Sequence, residues 1–441
     1  MDAPTAQVKV IFTTNEADLE LPESKRQLLV PADIKRYGLS RILNSESMLD
    51  TASPIPLDFL ANGAFLTTSI EEYLATEGLS SESTLTLQYV RSLLPPSYEA
   101  SFQHDDWVGA VDCLSATSAA GRRVGDDNNG IVKDRIASAS YDGLVRVWNP
   151  QGEVVATSTA GSSGGGGHSM RLNAVRWLST KQIASAGLDR KVVVWDYTDA
   201  SDNGSSGSLR VNMELWGHEK AVLSLDANLA KRRLLTASAD GRVGLWSTSK
   251  STAPQADPES LPSAHTTKKA RLAGGSTTAQ RGPLAMISAH EAGARVTAAL
   301  FHPHDATVAP ADHQAPAAVR GGDPREAAAA TAAMTLRGHV NMVVALAAGP
   351  DNDYSLVSGA HDGTCRVWDL RSSARAVDGA EGGVVKPAYT IGREWLKGKK
   401  LPPAGDGAKV LTVAWDKTWG IVSAGEDKKV QINRGHGLLA E

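Results

Sequence analysis

Cysteine is scarce in this chain of 441 residues, which has only Cys113 and Cys365. Two cysteines so far apart in the sequence exclude a disulfide framework or a cysteine-based zinc site, and they fit a reducing compartment. Long apolar runs are also missing, so we expect no membrane span. The first residues, MDAPTAQVKVIF, have no charged start followed by a long apolar run, so we expect no signal peptide.

An excess of charge of one sign is missing as well. The 45 Lys and Arg residues nearly balance the 49 Asp and Glu residues, which gives a formal net charge of −4 and a pI near 6.3. This balance argues against a broad electrostatic contact with nucleic acid. The Gly-rich run at 161–168 lacks the Lys-Ser/Thr end of a phosphate loop. Since no metal-ligand cluster or nucleophile–base pair occurs either, we predict a non-enzymatic protein without a cofactor.

The first 95 residues predict one α+β domain. Residues 7–12 and 26–31 read as strands, and 31–46 contains apolar residues at roughly helical spacing. Residues 56–66 predict a hairpin around Asn62-Gly63, because this pair suits a turn with positive φ.

The end of this domain carries three further signals. Ser69 and Glu72 form an S-x-x-E capping box for a short helix through Leu74. A final strand follows, in which Leu85, Leu87 and Tyr89 alternate with polar residues. The resulting order of elements is that of a ubiquitin-like β-grasp, and the prolines of LLPPSYEAS are expected to end the domain.

The remaining residues, 96–441, are governed by a repeat that aligns without gaps in five copies. Each copy has an Asp, a Ser or Thr four residues earlier, and apolar residues three and five residues later; in four copies a Trp stands six residues later. Asn433 replaces that Trp in the last copy. The repeated residues are Ser138, Asp142 and Trp148; Ser185, Asp189 and Trp195; Thr236, Asp240 and Trp246; Ser358, Asp362 and Trp368; Ser423 and Asp427.

The repeat predicts a structural network. A D-G turn joins two strands, and the hydroxyl, the Asp, the Trp N–H and an upstream His can close a buried set of hydrogen bonds. His218 and His339 stand just over twenty residues before their aspartates. This spacing resembles the WD repeat of β-propellers.

The repeat breaks between Asp240 and Asp362, which are 122 residues apart instead of about 50. Residues 249–283 form a Ser/Pro/Gly-rich insertion, and 309–334 is rich in Ala, Pro and Gly without the repeated signature. Either a blade and a half has diverged beyond recognition or the gene product lacks it; the abrupt change of composition favours loss. We therefore expect 309–334 to be irregular, and the ring to be open or strained.

Several segments together resemble one family. They include KRYGLSRILN, PLDFL, GLSSES, LPPSY, SGAHDGTCRVWDLR and SAGEDKKVQIN. They are similar to the WD-repeat ribosome-biogenesis proteins of the PeBoW complex, the yeast microtubule-associated (Ytm) type, over nearly the whole chain. The family has a ubiquitin-like (NLE) domain and a seven-bladed propeller, so the region around 309–334 departs from its pattern by about one blade.

The resemblance implies a function in assembly of the large ribosomal subunit and in pre-rRNA processing, in the nucleus, nucleolus and nucleoplasm. The propeller would bind the block-of-proliferation scaffold protein together with pescadillo. The ubiquitin-like domain would be bound by midasin, an AAA ATPase that releases such factors from pre-ribosomal large-subunit particles. In the family that the chain resembles, an acidic residue of this domain completes the coordination of a metal held by midasin's MIDAS domain, and the matching position here is Glu82.

Other interpretations stay open from the sequence. A Notchless-type pre-ribosomal factor has a similar N-terminal domain but eight blades, and a WD-repeat adaptor of a ubiquitin ligase would have a similar propeller. Two basic clusters each have two interpretations. The cluster KKAR at 268–271 is either a nuclear-import signal or a solvated loop, and KGKK at 397–400 either contacts rRNA or only contributes to solubility. The import candidates are Lys268, Lys269 and Arg271.

Overall fold

The computed structural model of the chain contains two compact units. The first comprises Met1–Leu94, Ala332–Arg337 and Asp369–Ala388, and the second comprises Pro95–Thr331, Gly338–Trp368 and Tyr389–Glu441. The structure describes residues 6–51, 53–80, 82–122, 132–161, 166–199, 206–261, 278–288, 296–301, 308–311, 318–320, 332–350, 352–371, 383–394 and 408–435.

The N-terminal domain is built on one five-stranded sheet in the order β2-β1-β5-β3-β4. The two central strands, β1 and β5, are parallel, and the outer pairs are antiparallel. This topology confirms the predicted ubiquitin-like β-grasp. Its strands are β1 (Gln7–Thr13), β2 (Gln27–Pro31), β3 (Leu57–Ala61), β4 (Ala64–Phe65) and β5 (Leu85–Arg91). Its helices are α1 (Arg36–Leu43), α2 (Ile70–Glu77) and two 3-10 turns, Ala17–Leu19 and Glu23–Lys25.

Local sequence chemistry explains most of these boundaries. Asn62 and Gly63 have φ of 50° and 80°, so they form the predicted tight turn between β3 and β4. The helix predicted within 31–46 begins only at Arg36, because Pro31 is the last residue of β2. Both helices bury leucines against one side of the sheet, including Leu39 and Leu74.

Four-stranded antiparallel blades dominate the second unit, which confirms the predicted WD-repeat propeller. In each blade the first strand is the inner one, and the repeated Asp lies in the turn between the second and third strands. The first blade has β7 (Val108–Leu114), β8 (Arg135–Ser140), β9 (Val145–Trp148) and β10 (Val154–Thr157). The second has β11 (Leu172–Ser179), β12 (Gln182–Gly187), β13 (Val192–Thr198) and β14 (Ser208–Leu215), with β18 (Ala279–Arg281) added in parallel. The third has β15 (Val222–Asn228), β16 (Arg233–Ser238), β17 (Arg242–Ser247) and β19 (Ala285–Ser288).

The last two complete blades follow the break in the repeat. One has β24 (Val343–Ala348), β25 (Ser355–Ala360), β26 (Cys365–Asp369) and β28 (Pro387–Ile391). The other has β29 (Val410–Asp416), β30 (Gly420–Gly425) and β31 (Lys429–Gly435), and β6 (Pro96–Gln103) completes it from the start of the unit. Pro96 thus begins a strand at the edge of a blade, where its missing N–H is tolerated. The joining of β6 to β31 ties the two ends of the propeller together.

The segment between the third blade and β24 differs in part from the prediction. Short strands occur there, so the described residues are not wholly irregular: β20 (Ala298–Phe301), β21 (Val308–Ala311), β22 (Ala318–Arg320), β23 (Ala332–Leu336) and the parallel partner of β23, β27 (Gly383–Val385). The rest of the predicted irregular segment, 312–317 and 321–331, lies outside the described residues. Inner strands of successive blades contact each other in the order β24, β29, β7, β11, β15 and β20. Whether the ring is open or strained therefore stays a prediction.

The helices α1 and α2 are each eight residues long. Over the part of the chain that the structure describes, no helix has the length and apolar character needed to cross a bilayer.

Candidate functional site

The turn that carries Glu82 is fixed on both sides. On its N-terminal side the capping box of α2 is formed: Ser69 Oγ accepts from the Glu72 N–H at 3.2 Å, and the Glu72 carboxylate accepts from the Ser69 N–H. The helix ends at Gly78, which has φ of 65°, and the Leu79 N–H donates to the Leu74 carbonyl at 2.8 Å. A left-handed residue here reverses the chain and satisfies the last carbonyls of the helix.

Two serines shape the turn itself. The Ser80 Oγ accepts from the Glu82 N–H at 3.3 Å, and the Ser83 hydroxyl donates to the Ser80 carbonyl at 2.6 Å. Immediately afterwards Leu85 enters the buried core as the first residue of β5, in parallel register with Val10. Small hydroxyl side chains therefore hold the backbone, and the Glu82 side chain points away from the core and is exposed.

The Glu82 carboxylate has no competing partner within the described residues: no cationic side chain lies at ion-pair distance from it. Nor do the described parts of the chain contain a group of three or more His, Cys, Asp or Glu side chains that could hold a metal ion. Glu82 can therefore offer one or two oxygen atoms to a cation that is held mainly by another molecule.

The second group of predicted residues forms buried networks in the propeller. In the third blade the Trp246 Nε1–H donates to Thr236 Oγ1 at 2.8 Å, and Thr236 Oγ1 lies 2.7 Å from His218 Nε2. His218 Nδ1 lies 3.0 Å from the Asp240 carboxylate. When the Thr236 hydroxyl donates to His218 Nε2 and His218 Nδ1–H donates to Asp240, each of these side chains has a hydrogen-bond partner.

Asp240 also accepts backbone N–H groups of Glu219 at 3.0 Å and Arg242 at 2.9 Å. Burial raises the pKa of this carboxyl group, but the bonds from His218 and the two backbone amides outweigh it and lower the pKa to about 2. The ionised carboxylate thus ties the loop before the blade to the turn between its second and third strands.

The same network occurs in two other blades. In each, a buried hydroxyl receives the Trp N–H and lies within hydrogen-bond distance of the His, and the His lies beside the Asp. The members are His168, Ser185, Asp189 and Trp195 in the second blade, and His339, Ser358, Asp362 and Trp368 in the blade that begins with β24.

The first blade departs from the predicted network. Trp148 donates to Ser138 at 2.7 Å, but Asp142 lies 2.7 Å from Arg146 and is not bonded to a histidine. His104 is buried against Trp148, and neither ring nitrogen has a hydrogen-bond partner among the described residues. Burial, with repulsion from Arg146, lowers the pKa of His104 to about 4.

In the last blade an arginine takes the place of the histidine. Arg393 donates to both oxygens of Asp427, at 2.7 and 2.8 Å, and to Ser423 Oγ at 2.7 Å. Asn433, which replaces the Trp, accepts from Gln431 at 2.8 Å. A bidentate guanidinium–carboxylate pair thus holds this blade's turn.

Sequence reasoning overlooked His168, Arg393 and His104. His168 could have been found, because it precedes Asp189 by 21 residues, close to the 22 residues that separate His218 from Asp240. Arg393 carried no such signal, since a guanidinium is not expected at a histidine position. The import candidates Lys268, Lys269 and Arg271 and the KGKK run lie outside the described residues.

Two family models match parts of the chain. Residues 8–74 match the NLE (NUC135) domain. The WD domain, G-beta repeat, matches residues 98–149, 163–196, 209–247 and 331–369.

Whole-length relatives are found in several fungi. The chain is 53% identical to a protein named ribosome biogenesis protein YTM1 from Podospora anserina, and the alignment covers 100% of this chain and 99% of the relative. Identity is also 53% with the protein of that name from Neurospora crassa, with both chains covered at 100%, and 48% with that from Botryotinia fuckeliana, with 98% of each covered. The Podospora alignment has 488 positions against 441 residues here, so the chain has no residue at about 47 of them. That shortfall is about the length of one WD repeat.

Proposed function

This chain belongs to the YTM1 family of ribosome biogenesis proteins, and from that premise we propose that it is a non-enzymatic assembly factor of the large ribosomal subunit. Its propeller docks on the scaffold protein of the PeBoW complex, the block-of-proliferation protein, together with pescadillo. Its ubiquitin-like domain is the part that midasin binds in order to remove the factor from pre-ribosomal particles. The site of action is the nucleolus and nucleoplasm.

The observation that carries the proposal is the exposed carboxylate of Glu82 on a turn whose backbone is held from both sides. Mg²⁺ prefers oxygen ligands in near-octahedral geometry, and a carboxylate brings a charge that a hydroxyl cannot supply. A MIDAS-type site has a coordination position that a carboxylate from a second protein can fill. The hydrogen bonds that Ser80 makes with Glu82 and Ser83 restrain the turn before the carboxylate binds, which reduces the conformational entropy lost on binding.

The test is binding of the purified MIDAS domain of midasin to the full chain in Mg²⁺, with and without chelator. We expect Glu82→Ala to abolish the metal-dependent binding, since no oxygen ligand remains. Glu82→Asp should weaken binding only in part, because the shorter side chain retracts the oxygens by one methylene. Neither change should alter the melting temperature or the binding of the scaffold protein, because the Glu82 side chain is exposed and makes no hydrogen bond or ion pair within the described residues.

Glu77→Ala is the matched control. Glu77 is an exposed glutamate at the end of α2, five residues from Glu82. Its removal changes the net charge equally but should leave binding to midasin intact. If Glu82→Ala bound with wild-type affinity and wild-type sensitivity to chelator, the metal ligand would have to be another residue.

A further inference from the structure

Large exposed apolar side chains gather at one end of the propeller. The inner strands β24, β29, β7 and β11 contact one another in that order around the ring. Of these, β24, β7 and β11 begin directly after Met342, Trp107 and Arg171, so these three residues lie at the same end of the propeller. We call this end the upper face. Trp107 is 39% exposed, Met170 51% and Met342 45%.

Five residues of the first two blades form a continuous surface on the upper face, which we call the upper patch: Trp107, Tyr141, Met170, Arg171 and Leu188. The rings of Trp107 and Tyr141 lie 5.7 Å apart, and the Tyr141 N–H donates to the Trp107 carbonyl at 2.8 Å. The Arg171 guanidinium lies 5.0 Å from the centre of the Tyr141 ring. The Leu188 N–H donates to the Arg171 carbonyl at 2.9 Å within the second blade, so the contact of Arg171 with Tyr141 is the one that joins the two blades' contributions.

The backbone under the upper patch is closely packed. A Cβ on Gly109 would stand 2.9 Å from the Tyr141 ring, and one on Gly143 would stand 3.2 Å from the Met170 carbonyl. The Trp107 and Tyr141 segments therefore pack closely on the neighbouring blade. Ordered aromatic side chains lose little entropy when they are covered by a partner.

Arg171 is the charged residue of the upper patch; Arg190 lies in the turn of Leu188, and the carboxylates of Asp105 and Asp106 precede Trp107. Within the described residues, no carboxylate lies at ion-pair distance from Arg171, or from Arg190 in the same turn as Leu188. By contrast, Lys409, whose charge also acts on Tyr141, is paired with Glu426 at 2.9 Å. An uncompensated guanidinium on an aromatic ring can pair with a carboxylate from outside.

We propose that the upper patch is the surface that binds the scaffold protein, and that the bound segment presents a carboxylate to Arg171 beside an apolar side chain that covers Trp107. The inference rests on the proposed docking function. Trp, Tyr, Arg and Met are the residues enriched in protein interfaces, and Trp, Tyr and Arg are the usual hot spots. RNA fits less well, because Asp105 and Asp106 adjoin Trp107 and the whole chain is acidic.

The experiment measures the affinity of the purified scaffold protein for the full chain and two variants, Trp107→Ala and Arg171→Glu. Each has a matched control. Tyr98→Ala removes an aromatic residue of equal exposure, 40%, on the outer strand β6. Lys181→Glu reverses an exposed charge at the opposite end of the β11–β12 hairpin.

We expect each patch variant to weaken binding at least about 30-fold, the hot-spot range, while both controls bind like the wild type. Melting temperatures of all five proteins verify that they are folded. Wild-type affinity in both patch variants would overturn the assignment of the upper patch while leaving scaffold docking intact. Failure of the wild type to bind would overturn docking and patch together. If only binding of a single-stranded RNA oligonucleotide fell in Trp107→Ala, the patch would be an RNA-binding surface instead.

Discussion

Replacing Asp240 by alanine tests whether the buried network stabilises the propeller. The carboxylate accepts from the side chain of His218 and from the backbone amides of Glu219 and Arg242. Its removal leaves a buried imidazole N–H without a partner, since the His218 side chain is 0% exposed. Leaving one such donor unsatisfied costs about 1–3 kcal/mol.

The lowered pKa of Asp240 expresses the effect of the same hydrogen bonds as a second order-of-magnitude value. A fall from 3.8 to about 2 corresponds to roughly 2 kcal/mol of preference of the folded state for the ionised carboxylate. Because the folded pKa lies below the unfolded value, this stabilisation is complete above about pH 5. It is lost as the pH falls through 4 towards 2.

The assay is thermal and urea unfolding of the full chain and Asp240→Ala at pH 7 and pH 3. At pH 7 we expect the free energy of unfolding of the propeller to fall by roughly 2 kcal/mol, or several degrees in melting temperature. The difference should shrink at pH 3. Asp353→Ala, which removes an exposed aspartate, is the control and should change little. Equal effects of the two substitutions, or a difference independent of pH, would refute the reasoning.

Three further predictions concern other parts of the fold. Arg393→Ala leaves the largely buried Asp427 without its bidentate partner and should cost about 3–5 kcal/mol, measured by urea unfolding, with Arg393→Lys restoring only part. His104→Leu should match the wild type at pH 7 and surpass its melting temperature as the pH falls from 6.5 to 4, because the depressed pKa makes the histidine destabilising there. Gly78→Ala should destabilise the ubiquitin-like domain by about 1 kcal/mol, since φ is 65° but a Cβ meets no atom within 4 Å, and hydrogen exchange of α2 would report it.

Local signals were sufficient to predict both architectures. The Asn62-Gly63 turn and the Ser69 capping box act over two to four residues, so their geometry follows from the residues present. The Asp–Trp spacing likewise fixes a strand, a turn and a strand within eleven residues, since the side chains must reach one another across a single hairpin. The period of the apolar residues then decides which face is buried.

Contacts between distant parts of the chain could not be predicted in this way. The pairing of β6 with β31 joins residues more than 300 positions apart, and the sequence of neither strand specifies it alone. The choice of Arg146 over His104 as the partner of Asp142, and of Arg393 for Asp427, depends on which cation the packed blades bring within reach.

The sequence by itself determined the two folds, the repeated network of His, Asp, hydroxyl and Trp, and Glu82 as the candidate ligand, because each depends on short-range spacing or on family motifs. Only the tertiary structure decided which hydrogen bonds of Ser80 hold the Glu82 turn, and that Trp107, Tyr141 and Arg171 share one surface. Such surfaces are assembled from loops of different blades. Which residues form such a surface depends on how the blades pack around the ring, and a short stretch of sequence does not contain that information.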